Sequence, residues 1–243
     1  MSDAPVPLSA PTTAVAAPTA APALRFADGT VEALKWLALA LMLGDHVNKY
    51  LFGAKLPLLF EAGRLCMPVF AVLLGYNLAR PGAVEGGAAW RTAKRLLIFG
   101  ALACIPCALL GSAMIGGWWP LNVLFELAVL AGVIHLAGRG RLGLAVLLFV
   151  IGGALAEYWW PAIGLGLAAW GHARRPRWSM LLAGLVACAA LALINGNHWA
   201  LAALPLLALA TRIDLPVPRV RDWFYWFYPL HLAALAACKL AGA

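Results

Sequence analysis

Beyond residue 30 the chain is a succession of apolar runs, separated only by short stretches of charge, Gly or Pro, and this pattern leaves few folds open. A bilayer core about 30 Å thick asks for roughly 20 apolar residues per helix. The runs are too long and too closely spaced for the core helices of a water-soluble domain. Hydrophobic residues make up 64% of the 243 and charged residues 12%, which leaves too little polar surface to cover such a domain in water. The expected fold is an all-α polytopic membrane bundle of about nine helices, near residues 32–53, 64–79, 93–115, 120–137, 142–156, 158–171, 178–194, 198–211 and 222–240. The runs 142–156, 158–171 and 198–211 fall short of a full crossing, as tilted or re-entrant segments do.

Residues 1–30 differ. Pro5, Pro7, Pro11, Pro18 and Pro22 punctuate an Ala- and Thr-rich stretch with no apolar periodicity, the composition of a disordered tail. It has no charged region followed by an apolar core, so it does not read as a secretory signal, and the first membrane helix directs insertion. The expected organisation is a tail over 1–30 and a membrane domain over 31–243. Lys and Arg then gather in alternate connections: Arg80, Arg91, Lys94 and Arg95; Arg139 and Arg141; Arg174, Arg175 and Arg177; Arg212, Arg219 and Arg221. Positive loops stay cytoplasmic, which places the N-terminus in the cytoplasm of a cell whose inner membrane holds the chain. The intervening connections, around Ile115–Pro120, Glu157–Pro161 and Asn195–His198, are almost free of positive charge. Lys49 and Lys55 in the first outer connection break the pattern. The net charge of +8 is therefore mainly a topology signal, with some pull on anionic lipid or an anionic substrate. Nucleic acid is not an expected partner, because no soluble module interleaves basic and aromatic residues.

Ionisable groups at membrane depth are expensive, and each is a functional candidate. In the first helix, Lys35 and His46 are eleven positions apart, about 1100° of rotation, which returns them to one face some 16 Å apart. Asp45 and Lys49, four apart, are spaced to pair with each other and leave His46 free. An imidazole titrates near neutrality and suits a general base towards an amine or hydroxyl. The second helix, GRLCMPVFAVLLGYNLAR, carries Arg64 at its outer end, Pro68 and Gly75 as breaks in its regularity, and Asn77 and Arg80 at its inner end. Asn122 and Glu126 share a face of the fourth, and Glu126 needs a partner, for which Arg64 or His46 is the candidate. Tyr228 and His231 lie three apart on the last helix, in DWFYWFYPLHL. His135, His172 and His198 read as helix-end residues. Of the five cysteines, Cys104 and Cys107 have redox-like spacing inside an apolar helix, where packing is the commoner role. No metal site is expected, and no HExxH, Walker A, GxSxG or dinucleotide glycine pattern occurs.

Three segments together resemble the TraX family of conjugal-transfer proteins, a group that includes the plasmid protein TrbP: LKWLALALMLGDHVNKY, GRLCMPVFAVLLGYNLAR and FYWFYPLHL. The same segments are similar to the type-3 membrane acyltransferases. Lys35 and His46 match a basic residue, ten intervening positions and a histidine. Arg64, Pro68 and Phe70 match an Arg-Phe-x-x-Pro-x-Phe pattern in which Leu65 replaces the aromatic residue. Tyr228 and His231 match a terminal Tyr-x-x-His. The resemblance implies an acetyl-CoA-dependent acetyltransferase acting on the N-terminus of a pilin subunit. Asp45, His46, Arg64 and Glu126 would be catalytic, in the outer half of the bundle, with His46 as the base or the acyl carrier. Lys35, Asn77, Arg80, Tyr228 and His231 would hold the coenzyme in the inner half. The rival readings are transfer to a lipid or glycan hydroxyl, a transporter, and a non-catalytic protein that holds pilin in the membrane.

Overall fold

In the computed structural model, residues 21–111, 119–220 and 222–242 are described. They form α1 (Asp28–Leu51), α2 (Pro57–Gly63), α3 (Cys66–Leu78), α4 (Ala88–Leu110), α5 (Val123–Gly138), α6 (Leu142–Leu155), α7 (Trp159–Arg174), α8 (Trp178–Ala190), α9 (Ala192–Asn195), a 3-10 turn (Trp199–Ala202), α10 (Ala203–Ala210) and α11 (Trp223–Leu240). α2 runs on into α3, α8 into α9, and the 3-10 turn into α10. The described residues thus make nine helical rods close to the nine runs read from the sequence, and no strand. Three rods, Pro57–Leu78, Ala88–Leu110 and Trp178–Asn195, are long and apolar enough to cross a bilayer.

Local chemistry explains several boundaries. Asn122 caps α5 by accepting the Leu124 N–H at 3.1 Å, one of the donors a helix start leaves unpaired. α4 begins after Gly87 and ends at Gly111, both in the left-handed region that favours glycine. Between α1 and α2 the fully buried Asn48 donates to the Leu56 carbonyl and accepts the Leu56 N–H, both at 2.9 Å. That pair of hydrogen bonds closes the turn over 52–56.

α3 is central, packed against α1, α5, α7 and α10. Its Gly75 sits so close to α7 that a Cβ there would lie 2.1 Å from the Gly166 carbonyl oxygen, the close backbone approach that small residues permit between membrane helices. Gly75 therefore serves packing. The break in this rod falls at Arg64 and Leu65, between α2 and α3, whereas Pro68 sits within the first turn of α3. On the outside of the bundle, Leu97, Ile98, Leu102, Ile105 and Leu109 of α4 and Val146, Leu147, Val150 and Ile151 of α6 are exposed. An apolar exterior of this kind is a lipid-facing surface.

The rods share two ends. At one, Asp28 pairs with Arg80 and Arg95 with Asp222, Val84 packs on Gly138, and Thr30 donates to the Ile213 carbonyl at 2.6 Å. His172, in the last turn of α7, lies 2.8 Å from the Pro22 carbonyl. This is the basic end, and the arginine-rich connections meet there. Residues 21–27 run along it with Ala21 and Phe26 buried, and the Phe26 N–H donates to the Tyr76 hydroxyl at 3.2 Å. The first twenty residues of the expected tail, most of the Ile115–Pro120 connection, and Arg221 lie outside the described residues.

Candidate functional site

The opposite half of the bundle gathers the ionisable side chains. Arg64, at the junction of α2 and α3, forms an ion pair with Asp45 of α1, and each side chain is only 13% exposed. Its Nε donates to the Phe60 carbonyl at 3.1 Å, a second nitrogen reaches Asn195 Oδ1 of α9 at 3.4 Å, and its guanidinium lies 4.3 Å from the Phe60 ring centroid. A planar fork of donors can serve several partners at once, which an ammonium cannot do in the same geometry. Gly63 makes room for this arrangement: a Cβ there would lie 2.5 Å from Asp45 Cβ. Asp45 therefore pairs with Arg64 and not with Lys49, whose ammonium lies over the Tyr50 ring at 5.2 Å. Helical spacing alone had favoured the Lys49 pair, but Arg64 approaches within the rod, seven residues past its start at Pro57, and not from the helix end at which the run 64–79 had placed it.

One residue along α1, His46 Nδ1 lies 2.7 Å from His231 Nε2 of α11, and His231 Nδ1 lies 2.8 Å from the Phe227 carbonyl oxygen. The two rings are nearly parallel, 4° apart with centroids at 5.0 Å. Tyr50 and Tyr228 flank His46 at 5.8 and 6.3 Å between centroids. His46 is half-buried, while Tyr228 and His231 are buried. Tyr228 and His231 thus belong with His46, and not in the inner half with Lys35. Counting residues from the start of each helix had separated them, but α11 enters the bundle after a long connection, and its ninth residue reaches the level of the nineteenth in α1.

Glu126 of α5 is fully buried. One carboxylate oxygen accepts the Tyr158 N–H at 2.9 Å, and the other has no hydrogen-bond partner. Its partner is this backbone N–H, and neither Arg64 nor His46. The neighbouring Glu157, in the connection between α6 and α7, lies within the electrostatic reach of Lys49, Arg64 and Asp45 and accepts from the Val123 backbone. Asn122, on the Glu126 face, is spent on the cap and on a 2.9 Å bond from its Nδ2 to the Gly100 carbonyl of α4.

At the basic end, Lys35 pairs with buried Glu32 at 2.6 Å and lies over the Phe224 ring of α11 at 4.3 Å. Lys35 and His46 do share a face, and that face is turned to α11. Arg80 is exposed and paired with Asp28, and Asn77 is half-buried near the end of α3. The five residues expected to hold a coenzyme therefore do not form one site. Two cavities open at this end instead. One of about 410 Å³ is lined by Trp170, Gly171, Arg174, Arg175, Arg177 and Met180, and one of about 380 Å³ by His135, Arg139 and Arg141. Neither is lined by a carboxylate, and among the described residues none of the five arginines has an acidic partner.

Sequence reading passed over Asn48, Glu157, Asn195 and Glu32. Glu157 and Asn195 fell in connections and were read as outer-loop residues, although a carboxylate or amide beside an apolar run carries the same signal as one inside it. Neither Cys104 nor Cys107 is in a disulfide, and Cys104 donates to the Gly100 carbonyl at 3.4 Å. Among the described residues no cluster of His, Cys, Asp and Glu has the geometry of a metal centre.

Comparison with known proteins bears on what this arrangement does. The family model described as TraX protein matches residues 30–239. A protein named Protein TraX from Escherichia coli is 30% identical over 232 residues, covering 89% of this chain and 90% of its own length. A second Protein TraX, from Escherichia coli strain K12, is 27% identical over 235 residues with the same coverage. No solved structure matches the chain.

Proposed function

The chain belongs to the TraX family, and from that premise we propose that it is a membrane-embedded acetyltransferase acting on the N-terminus of a conjugative pilin subunit. The observation that carries the proposal is His46. An ionisable group at membrane depth is a functional candidate by default, and this imidazole is hydrogen-bonded to a second imidazole from α11 and lies one residue from a buried ion pair.

In this reading the arginine-rich end faces the cytoplasm of the inner membrane, and acetyl-CoA enters there. Its phosphates suit the arginines of the two cavities better than Lys35 or Arg80, which already have carboxylate partners. The acceptor amine meets the acetyl group beside His46. As the amine nitrogen bonds to the thioester carbonyl carbon, its proton passes to His46. The carbon–sulfur bond then breaks, and the departing sulfur takes that proton. The products are an N-acetyl peptide and free coenzyme thiol. Arg64 supplies positive charge near a developing oxyanion, Asp45 holds Arg64, and fully buried Glu126 fixes the Tyr158 backbone behind them. Pilin subunits, short and hydrophobic before assembly, fit connections too short to hold a separate acceptor-binding domain.

The test uses the purified protein in proteoliposomes with isotope-labelled acetyl-CoA and a peptide reproducing a pilin N-terminus. The proposal expects label in the peptide with the wild type and none with His46→Gln. Label in neither refutes acetyl transfer and favours a protein that only holds pilin.

A further inference from the structure

The hydrogen bonds around His46 determine which of its nitrogens does chemistry. The Phe227 carbonyl oxygen, 2.8 Å from His231 Nδ1, can only accept. His231 Nδ1 must therefore carry a proton. A neutral imidazole has one protonated and one bare nitrogen, so His231 Nε2 presents a lone pair. Facing it at 2.7 Å is His46 Nδ1, which must then be the donor. The same rule leaves His46 with its lone pair on Nε2. The nearly parallel rings put the three groups in one chain: His46 Nδ1–H to His231 Nε2, and His231 Nδ1–H to the Phe227 carbonyl.

We infer that His231 is a positioning residue, which locks His46 in the Nδ1–H tautomer and aims its bare Nε2 at the proton to be removed. The inference rests on the base role given to His46 above. It assigns to a histidine and a backbone carbonyl the work that a carboxylate does when it orients a catalytic imidazole. The arrangement suits its surroundings. When His46 takes a proton at Nε2, its Nδ1–H bond to His231 becomes charge-assisted and stronger, and no permanent negative charge has to be buried to achieve this. The source of the carbonyl is local, because Phe227 stands one turn before His231 on α11, and a carbonyl with two lone pairs can accept from a side chain in addition to the helix. Buried Tyr228, at 5.4 Å from His231 and 6.3 Å from His46 between ring centroids, walls the pair.

Two readouts test this. The first is nitrogen NMR of the full-length protein labelled with 15N-histidine in detergent, with the His46 signals assigned by their loss in His46→Gln. The wild type should show a protonated Nδ1 and a bare Nε2 on His46, and His231→Leu should shift His46 towards the Nε2–H form. His231→Gln, whose amide oxygen can accept the same proton, should keep the wild-type pattern. The second is acetyl transfer in proteoliposomes. There His231→Leu should lower kcat about 10- to 100-fold, within the range general-base catalysis supplies, leave KM for the donor unchanged, and be largely rescued in His231→Gln. A bare Nδ1 on His46 in the wild type, or a tautomer indifferent to His231→Leu, overturns the inference, and the wild-type spectrum alone suffices if the leucine variant does not fold. If the tautomer behaves as expected while no variant transfers acetyl, the positioning role stands and the acetyltransferase reading fails.

Discussion

The Asp45–Arg64 pair offers a quantitative check on the half of the bundle that holds His46. Breaking a buried ion pair by removing one partner costs about 3–5 kcal/mol, because the other charge is left uncompensated. Here each side chain keeps 13% of its exposure, and Arg64 retains the Phe60 carbonyl and Asn195. Discounting for that access, and in Asp45→Asn for those bonds as well, gives about 2–4 kcal/mol for Asp45→Asn or Arg64→Leu taken singly, with the arginine variant at the upper end. At about 2–4 °C per kcal/mol for a chain of this size, each variant should melt roughly 4–16 °C lower. The double variant leaves neither charge behind and should fall within about 1 kcal/mol of the worse single. Thermal unfolding in detergent can be followed by the reaction of a thiol-specific fluorophore with Cys66, Cys107 and Cys188, all buried in the fold. A double variant destabilised by the full sum of the two singles would refute the pairing.

Other consequences are simpler to test. Glu126→Gln keeps an acceptor for the Tyr158 N–H and should change stability by less than about 1 kcal/mol, whereas Glu126→Leu leaves that donor unpaired and should cost about 1–3 kcal/mol, measured by the same melts. Gly75→Ala drives a methyl group into the Gly166 carbonyl and should destabilise the protein by about 1–3 kcal/mol, seen as loss of monodisperse protein on size exclusion. His172→Ala removes the bond to the Pro22 carbonyl and should speed proteolytic clipping near residues 21–27, with the rest of the chain cut no faster.

What the sequence disclosed, and what it hid, follows from the range of each interaction. Helices were legible because hydropathy is a local property, and the runs near 93–115 and 178–194 correspond to α4 and α8 with α9. The common face of Lys35 and His46 was legible because both stand on one helix. Pairings between helices were not. The spacing of Asp45 and Lys49 suggested a local pair, but the glycine at 63 lets another rod bring Arg64 onto Asp45. The meeting of His46 with His231, 185 positions later, depends on how far α11 enters the bundle, which a loop from Thr211 to Asp222 decides. Glu126 looked short of a charged partner because its true partner is a backbone N–H, and backbone donors leave no trace in composition.

The central claim is that His46 performs acetyl transfer to pilin, and the most direct measurement is the intact mass of the cognate pilin from cells carrying the wild-type gene, a deletion, or His46→Gln. The account expects an acetyl increment with the wild type alone, with the variant protein present in the membrane at normal level. Pilin of the same mass in all three strains would contradict it.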